Sequence, residues 1–526
     1  MQSTYDVLDF STDGLISLLA EKSQSTKHFV GQKLHSKYFD GYFSFIGART
    51  CIVENGYIDK DYLEDYSGYY VRCFKDYGRK CTRVHFFNNE IPKDDFDKLL
   101  NGEETTLTLG RLSDSYLGFI VVKPLPQAII GRTCLKTYPC EDRRYFPITR
   151  DYPVSLFGIP LVAKDTLAFQ EQDSVVAACA TSALWSVLHG TGITFQHPIP
   201  SPVEITKAAT EHLPTESRSF PNHGLTSHMM AHAIRSVGLE PFLVRAQNID
   251  ILKATIYAYL RTGNAAILGF DLYDTSVVPN EPIGMHAVAV TGYSIGLPNT
   301  TPIGPTKFHL RATRIDKIYV HDDQVGPFAR MGFDGVPLNL DDGQTSASLS
   351  TSWRGRHPES EIGTGRALPI LLLTPLYHKI RIPFEAVHDV ILEFDNFLSS
   401  IAKEFLPYEP PIEWDIYLTT VNEFKKEIIE HQIGSGSGEY FSEFLIEPLP
   451  KFLWRAKAYN RQKCLFELVF DATDIETGPF FIRAIECNRE TKTFLRAVTK
   501  AEDLKAVFQS RPIWPILEWF SKQSID

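Results

Sequence analysis

Cysteine is scarce in this chain. Its eight residues, Cys51, Cys73, Cys81, Cys134, Cys140, Cys179, Cys464 and Cys487, are scattered over 526 positions and form no Cys-x-x-Cys pair. That argues against a disulfide framework and a zinc ribbon, and it fits a reducing compartment. Long apolar runs are also missing. Nothing approaches the roughly 20 apolar residues that span a bilayer. Asp6 and Asp9 precede the first short apolar stretch, where a secretory signal would carry basic residues. A cytoplasmic setting away from membranes is expected. Basic runs are absent too, and the net charge of -11 disfavours nucleic-acid binding. There is no GxxxxGK[ST] phosphate loop, no GxSxG elbow and no internal repeat.

What is present is ordinary globular material, 43% hydrophobic and 22% charged. The length allows two to four domains. The 35 Phe and 23 Tyr are dispersed and read as core and groove residues. Residues 1–155 read as a mixed α/β domain, with a helix at 12–22 and strands at 83–87 and 116–122, the second stopped by Pro124 and Pro126. Residues 156–335 place helices first (174–189, 226–237, 250–261) and strands after (265–273, 286–293, 315–321), an α+β order. Gly190 is expected to cap the first helix. Residues 336–366 are rich in Gly, Ser and Asp and read as a linker or long loop. Residues 367–526 read as a third α/β region. It has a strand at 371–382, a helix at 384–398, a flexible turn at 434–439, two further strands and a last helix near 501–509.

Three residues in the middle region could carry chemistry. Cys179 falls in the first turns of an expected helix, where positive partial charge favours a thiolate, among small residues that leave the sulfur reachable. Its bland alternative is a small hydrophobe in an alanine-rich helix. His286 opens an alternating strand, sharing a face with Val288 and Val290, and could point into a cleft or sit satisfied at a sheet edge. Asp322 ends a strand and could bind the second ring nitrogen of His286, or simply make a turn. Asp323 is the rival carboxylate, and His321 is an outside candidate for the base. His228 and His232 share a helix face at metal-binding spacing. Met229 stands where a metalloprotease motif has Glu, however, and no third ligand is evident. No metal and no cofactor are expected.

In order, Gln172, Cys179, LKATIYAYLRTGNAAILGF, HAVAVTGY and YVHDD make the chain resemble the papain-like cysteine peptidase superfamily, and within it the C39-like peptidases. The resemblance covers residues 160–330. It implies a central papain-like domain, its helices packed on an antiparallel sheet, flanked by mixed α/β domains. It also implies a Cys179–His286–Asp322 triad that transfers an acyl group of a peptide or protein substrate to water, with Gln172 as an oxyanion donor. Gln172 lies one residue further from the cysteine than is usual in the family, so Asp173 holds the usual place and Gln172 would need a one-residue bulge. Ala180 stands where Gly is frequent. The same triad could serve a transglutaminase-like or phytochelatin-synthase-like acyltransferase, and the scaffold could instead be an inert binding module.

Overall fold

Short apolar strands organise the first 135 residues. Strands Tyr5–Asp9, Thr50–Tyr57, Cys81–Phe87, Tyr116–Val122 and Ile130–Leu135 lie side by side in chain order, every pair antiparallel. The third and fourth strands are buried at every position, as befits the middle of a sheet covered on both faces. Helices Thr12–Ser23 and Leu34–Ile46 follow the first strand. The Ser11 hydroxyl caps the first by accepting from the Gly14 N–H at 3.1 Å.

The computed structural model describes the chain apart from residues 1–3, 174, 212–223, 247, 298–307, 341–342, 357–359, 406–410, 436–444, 462, 475–479, 487–488, 501 and 523–526. Cys487 and most of the turn expected at 434–439 lie outside the described residues. The fold is α+β with several antiparallel sheets. It forms two units, each assembled from separate stretches of chain. The first comprises residues 1–247, 263–294 and 316–375, and the second residues 248–262, 295–315 and 376–526. These divisions cut across the boundaries expected at 155, 335 and 366. Among the described residues no helix is long and apolar enough to cross a membrane.

The largest sheet lies mainly in the first unit. Ala266–Asp274, Glu281–Ile295, Ile315–Asp322, Gly326–Gly332, Leu349–Ser350 and Gly365–Tyr377 are neighbours in that order. The last of them pairs back onto the first, so the six strands close into a ring. Residues 336–366, expected as linker or loop, supply short strands to this region (Pro337–Asn339, Thr345–Ala347, Leu349–Ser350). Helix Cys179–Phe195 is buried almost throughout and packs on strand Ala266–Asp274.

In the second unit the strands His309–Leu310, Glu413–Thr420, Phe452–Asn460, Lys463–Asp471 and Phe481–Glu486 form one sheet, with a parallel first pair and antiparallel pairs thereafter. Period-two alternation gives it two chemically different faces. Trp414, Ile416, Leu418, Phe466 and Leu468 are apolar and buried, while Asp415, Tyr417, Arg455, Lys457 and Glu467 occupy the alternate positions. On that polar face Asp415 accepts from Tyr257 at 2.8 Å and from Arg261 at 2.9 Å, tying helix Ile249–Leu260 to the sheet.

Candidate active site

Cys179 is the first residue of its helix, and the turn before it explains why the helix begins there. Asp173 Oδ1 accepts the backbone N–H groups of Val175 (2.8 Å), Val176 and Ala177 (3.2 Å), while its own N–H donates to the Ala177 carbonyl at 2.9 Å. Its other oxygen accepts from the Tyr70 hydroxyl at 3.0 Å. The helix expected from residue 174 therefore starts five residues later, because donors at 175–177 are engaged by a carboxylate. Asp173 is held by the turn, and Gln172 is half-buried in the cleft beside Cys179. The thiol is half-buried at a helix N-terminus with no side-chain cap, so first-turn N–H groups are left for another acceptor.

His286 lies within strand Glu281–Ile295, not at its start, and pairs with Phe270. Asp322 ends the neighbouring strand, Ile315–Asp322. The His286 Nε2–H donates to Asp322 Oδ1 at 3.1 Å, and Asp323 Oδ1 stands 3.5 Å from the same nitrogen. Cys179 and this ring line the same cleft, and the thiol adds to the upward pull on the ring's pKa. With Nε2 engaged by carboxylate, Nδ1 is the ring nitrogen left to serve the thiol. All three sequence candidates are thus brought together.

The surroundings favour a charged ring. Burial alone would lower the His286 pKa, but the Asp322 and Asp323 charges, the hydrogen bond to Asp322 and the neighbouring Cys179 thiol outweigh it and raise it well above its ordinary value. Asp322 is held below the usual carboxylate range. Its burial acts the other way, but His286, the Trp353 indole N–H (2.8 Å to Oδ2) and the Gln324 N–H (3.0 Å to Oδ1) all stabilise the anion. Asp323 is pushed up to about 7, chiefly by burial and the Asp322 charge against the opposing pull of His286.

A cleft of about 420 Å³ opens over these groups, lined by Gln172, Cys179, Leu272, Met285, His286 and Trp353 among others. Met285 is 85% exposed at its rim. Trp353 packs edge-on against His286, with ring centroids 4.8 Å apart, and covers the His–Asp bond.

The other candidates lie elsewhere or serve otherwise. His321 is buried on the opposite side of its strand, between Phe169 and Phe328, with Nδ1 3.5 Å from the Ser186 hydroxyl. Burial holds its pKa down to about 3. His228 and His232 are exposed on helix Ser227–Ser236, and among the described residues no third ligand joins them. The one cluster of possible metal ligands among the described residues is His286, Asp322 and Asp323.

Sequence reasoning missed Trp353 because it sits in a stretch whose Gly and Ser content reads as loop. It also missed Tyr70, which anchors the turn before Cys179, and His35, a buried imidazole whose pKa feels the Asp322 charge. No local pattern marks any of the three; only the fold brings them to the site.

Compared with known proteins, the chain matches no family model and no curated protein sequence.

Proposed function

We propose that this protein is a papain-like cysteine hydrolase acting on a peptide or protein substrate in a cytoplasmic setting. One observation carries the reading: Cys179, at the start of its helix, and His286, held by Asp322 through Nε2, line the same cleft, which is open to a ligand. The buried carboxylates favour the imidazolium, and the helix N-terminus favours negative charge at the sulfur.

The thiolate attacks a substrate carbonyl and forms a tetrahedral oxyanion. First-turn N–H groups and the Gln172 amide are the donors nearest to hand. The His286 imidazolium gives its proton to the leaving amine, and a thioester on Cys179 remains. Neutral His286 then takes a proton from water, the resulting hydroxide attacks the thioester, and the thiol is freed. Asp322 keeps the ring oriented and stabilises its charged form throughout.

The test is to mix the protein with an activated peptide ester, quench in acid and map adducts by mass spectrometry. An acyl group on Cys179, absent in Cys179→Ala and strongly diminished in His286→Ala, is expected. No acylation at Cys179, or acylation unchanged by His286→Ala, would overturn the reading.

A further inference from the structure

Asp322 and Asp323 face the same imidazole nitrogen, although one carboxylate suffices to orient a histidine. The second has an oxygen with nothing to do. Asp323 is 2% exposed, and its Oδ1 accepts no hydrogen bond. It is not aimed away from the site, because it stands 3.5 Å from His286 Nε2.

The spacing is informative. Two donor atoms each about 2.1 Å from a metal ion, at the angles of octahedral or tetrahedral coordination, lie roughly 3.0–3.4 Å apart. Nε2 is 3.1 Å from Asp322 Oδ1 and 3.5 Å from Asp323 Oδ1, and the three residues' donor atoms all lie within 4.8 Å of one another. One imidazole and two carboxylates suit a divalent transition ion such as Zn²⁺, Mn²⁺ or Fe²⁺ better than an all-oxygen ion such as Ca²⁺. The Trp353 N–H and Gln324 N–H already hold Asp322 in place, which pre-orients one ligand.

We propose that His286, Asp322 and Asp323 form an inhibitory site for a divalent transition-metal ion, which silences the thiol centre from behind its own base. The ion takes the place of the Nε2 proton, which is released to solvent. It neutralises both carboxylates and draws electron density from the ring, so Nδ1 no longer accepts the Cys179 proton. Metal and active base are mutually exclusive states of one histidine. The inhibition rests on the hydrolase reading; the binding does not.

The experiment uses the full chain with His228→Ala and His232→Ala, which removes the other histidine pair. Equilibrium dialysis against Zn²⁺ is expected to retain one ion per chain. Cys179→Ala should keep it, and Asp323→Asn should weaken binding at least tenfold, with near-UV circular dichroism checking that each variant is folded. The Co²⁺ spectrum of the same parent protein needs no further variant and should show ligand-field bands without a thiolate charge-transfer band. Retention lost in Cys179→Ala, a cobalt–thiolate band, or no specific binding would each overturn the proposal. Alkylation of Cys179 by iodoacetamide, followed alongside, should slow at least tenfold with Zn²⁺ and recover with chelator. A thiol inert with and without zinc would sink the hydrolase reading while leaving the bound ion in place, so the two failures are distinguishable.

Discussion

Trp353 holds the Asp322 carboxylate through a single indole N–H and shields the His286–Asp322 bond with its ring. Trp353→Phe keeps an aromatic wall but leaves a buried carboxylate oxygen unpaired, a loss of about 1–3 kcal/mol. The rate of Cys179 alkylation at neutral pH should fall roughly tenfold, with little loss of helix signal. An unchanged rate would show that the indole bond is idle. Asp323 makes a second prediction, in chelator-treated buffer. Its folded value of about 7 lies above the unfolded carboxylate value, so the native state holds this proton the more tightly. The resulting stability is complete below the unfolded value and is lost as pH rises to about 7. The melting temperature of Asp323→Asn should therefore gain on wild type between pH 4 and 7. A difference independent of pH would contradict this placement. Of these residues Cys179 and Asp322 were legible from their places at a helix start and a strand end, whereas His286 was picked out as opening a strand within which it actually lies. Trp353 was not, because its value depends on which strand its loop covers.

The helix that begins at Cys179 shows where local signals mislead. Gly190 reads as a C-terminal cap, yet the helix runs on to Phe195, and the left-handed cap residue is Gln196 (φ 56°). Gly192 serves packing: a Cβ there would lie 2.9 Å from the Ile199 side chain. Gly192→Ala should cost about 1–3 kcal/mol in chemical unfolding. A neutral effect would mean that Ile199 moves aside freely. At the other end, the Asp173 turn sets where the sulfur emerges. Asp173→Asn retains an oxygen for the N–H groups of 175–177 and should be mild. Asp173→Ala should lower both the melting temperature and the alkylation rate of Cys179. Equal effects of the two substitutions would contradict a role for that oxygen. Strands such as Cys81–Phe87 and Tyr116–Val122 were readable nearly to the residue, because each is a short β-branched and aromatic run, and Pro124 stops the second. Strand 286–293 was read too short, since Glu281–Met285 carries no clean alternation.

At the scale of the whole molecule, composition suggested a cut near residue 366. That cut would divide a strand, since Gly365–Tyr377 pairs along Ala266–Asp274 in the sheet that carries His286. A chain ended at 366 should fail to form a soluble, cooperatively melting product. A cut after 377 spares that strand but leaves helix Ile249–Leu260 without Asp415, its partner through Tyr257 and Arg261. It should yield protein of reduced thermal stability. Cooperative folding of the shorter chain would contradict this strand arrangement. The division into units that each draw on distant segments was not readable from texture, because it depends on pairings across more than a hundred residues.

The account turns on Cys179 being activated by His286, and competitive alkylation measures that directly. Wild-type protein treated briefly with limiting iodoacetamide at neutral pH, then digested and mapped, offers two cysteines for comparison: half-buried Cys179 and exposed Cys140. Modification of Cys179 well ahead of Cys140, with that lead abolished by His286→Ala, is the predicted result. Modification of Cys140 first in the wild type, or a Cys179 rate indifferent to His286→Ala, would contradict it.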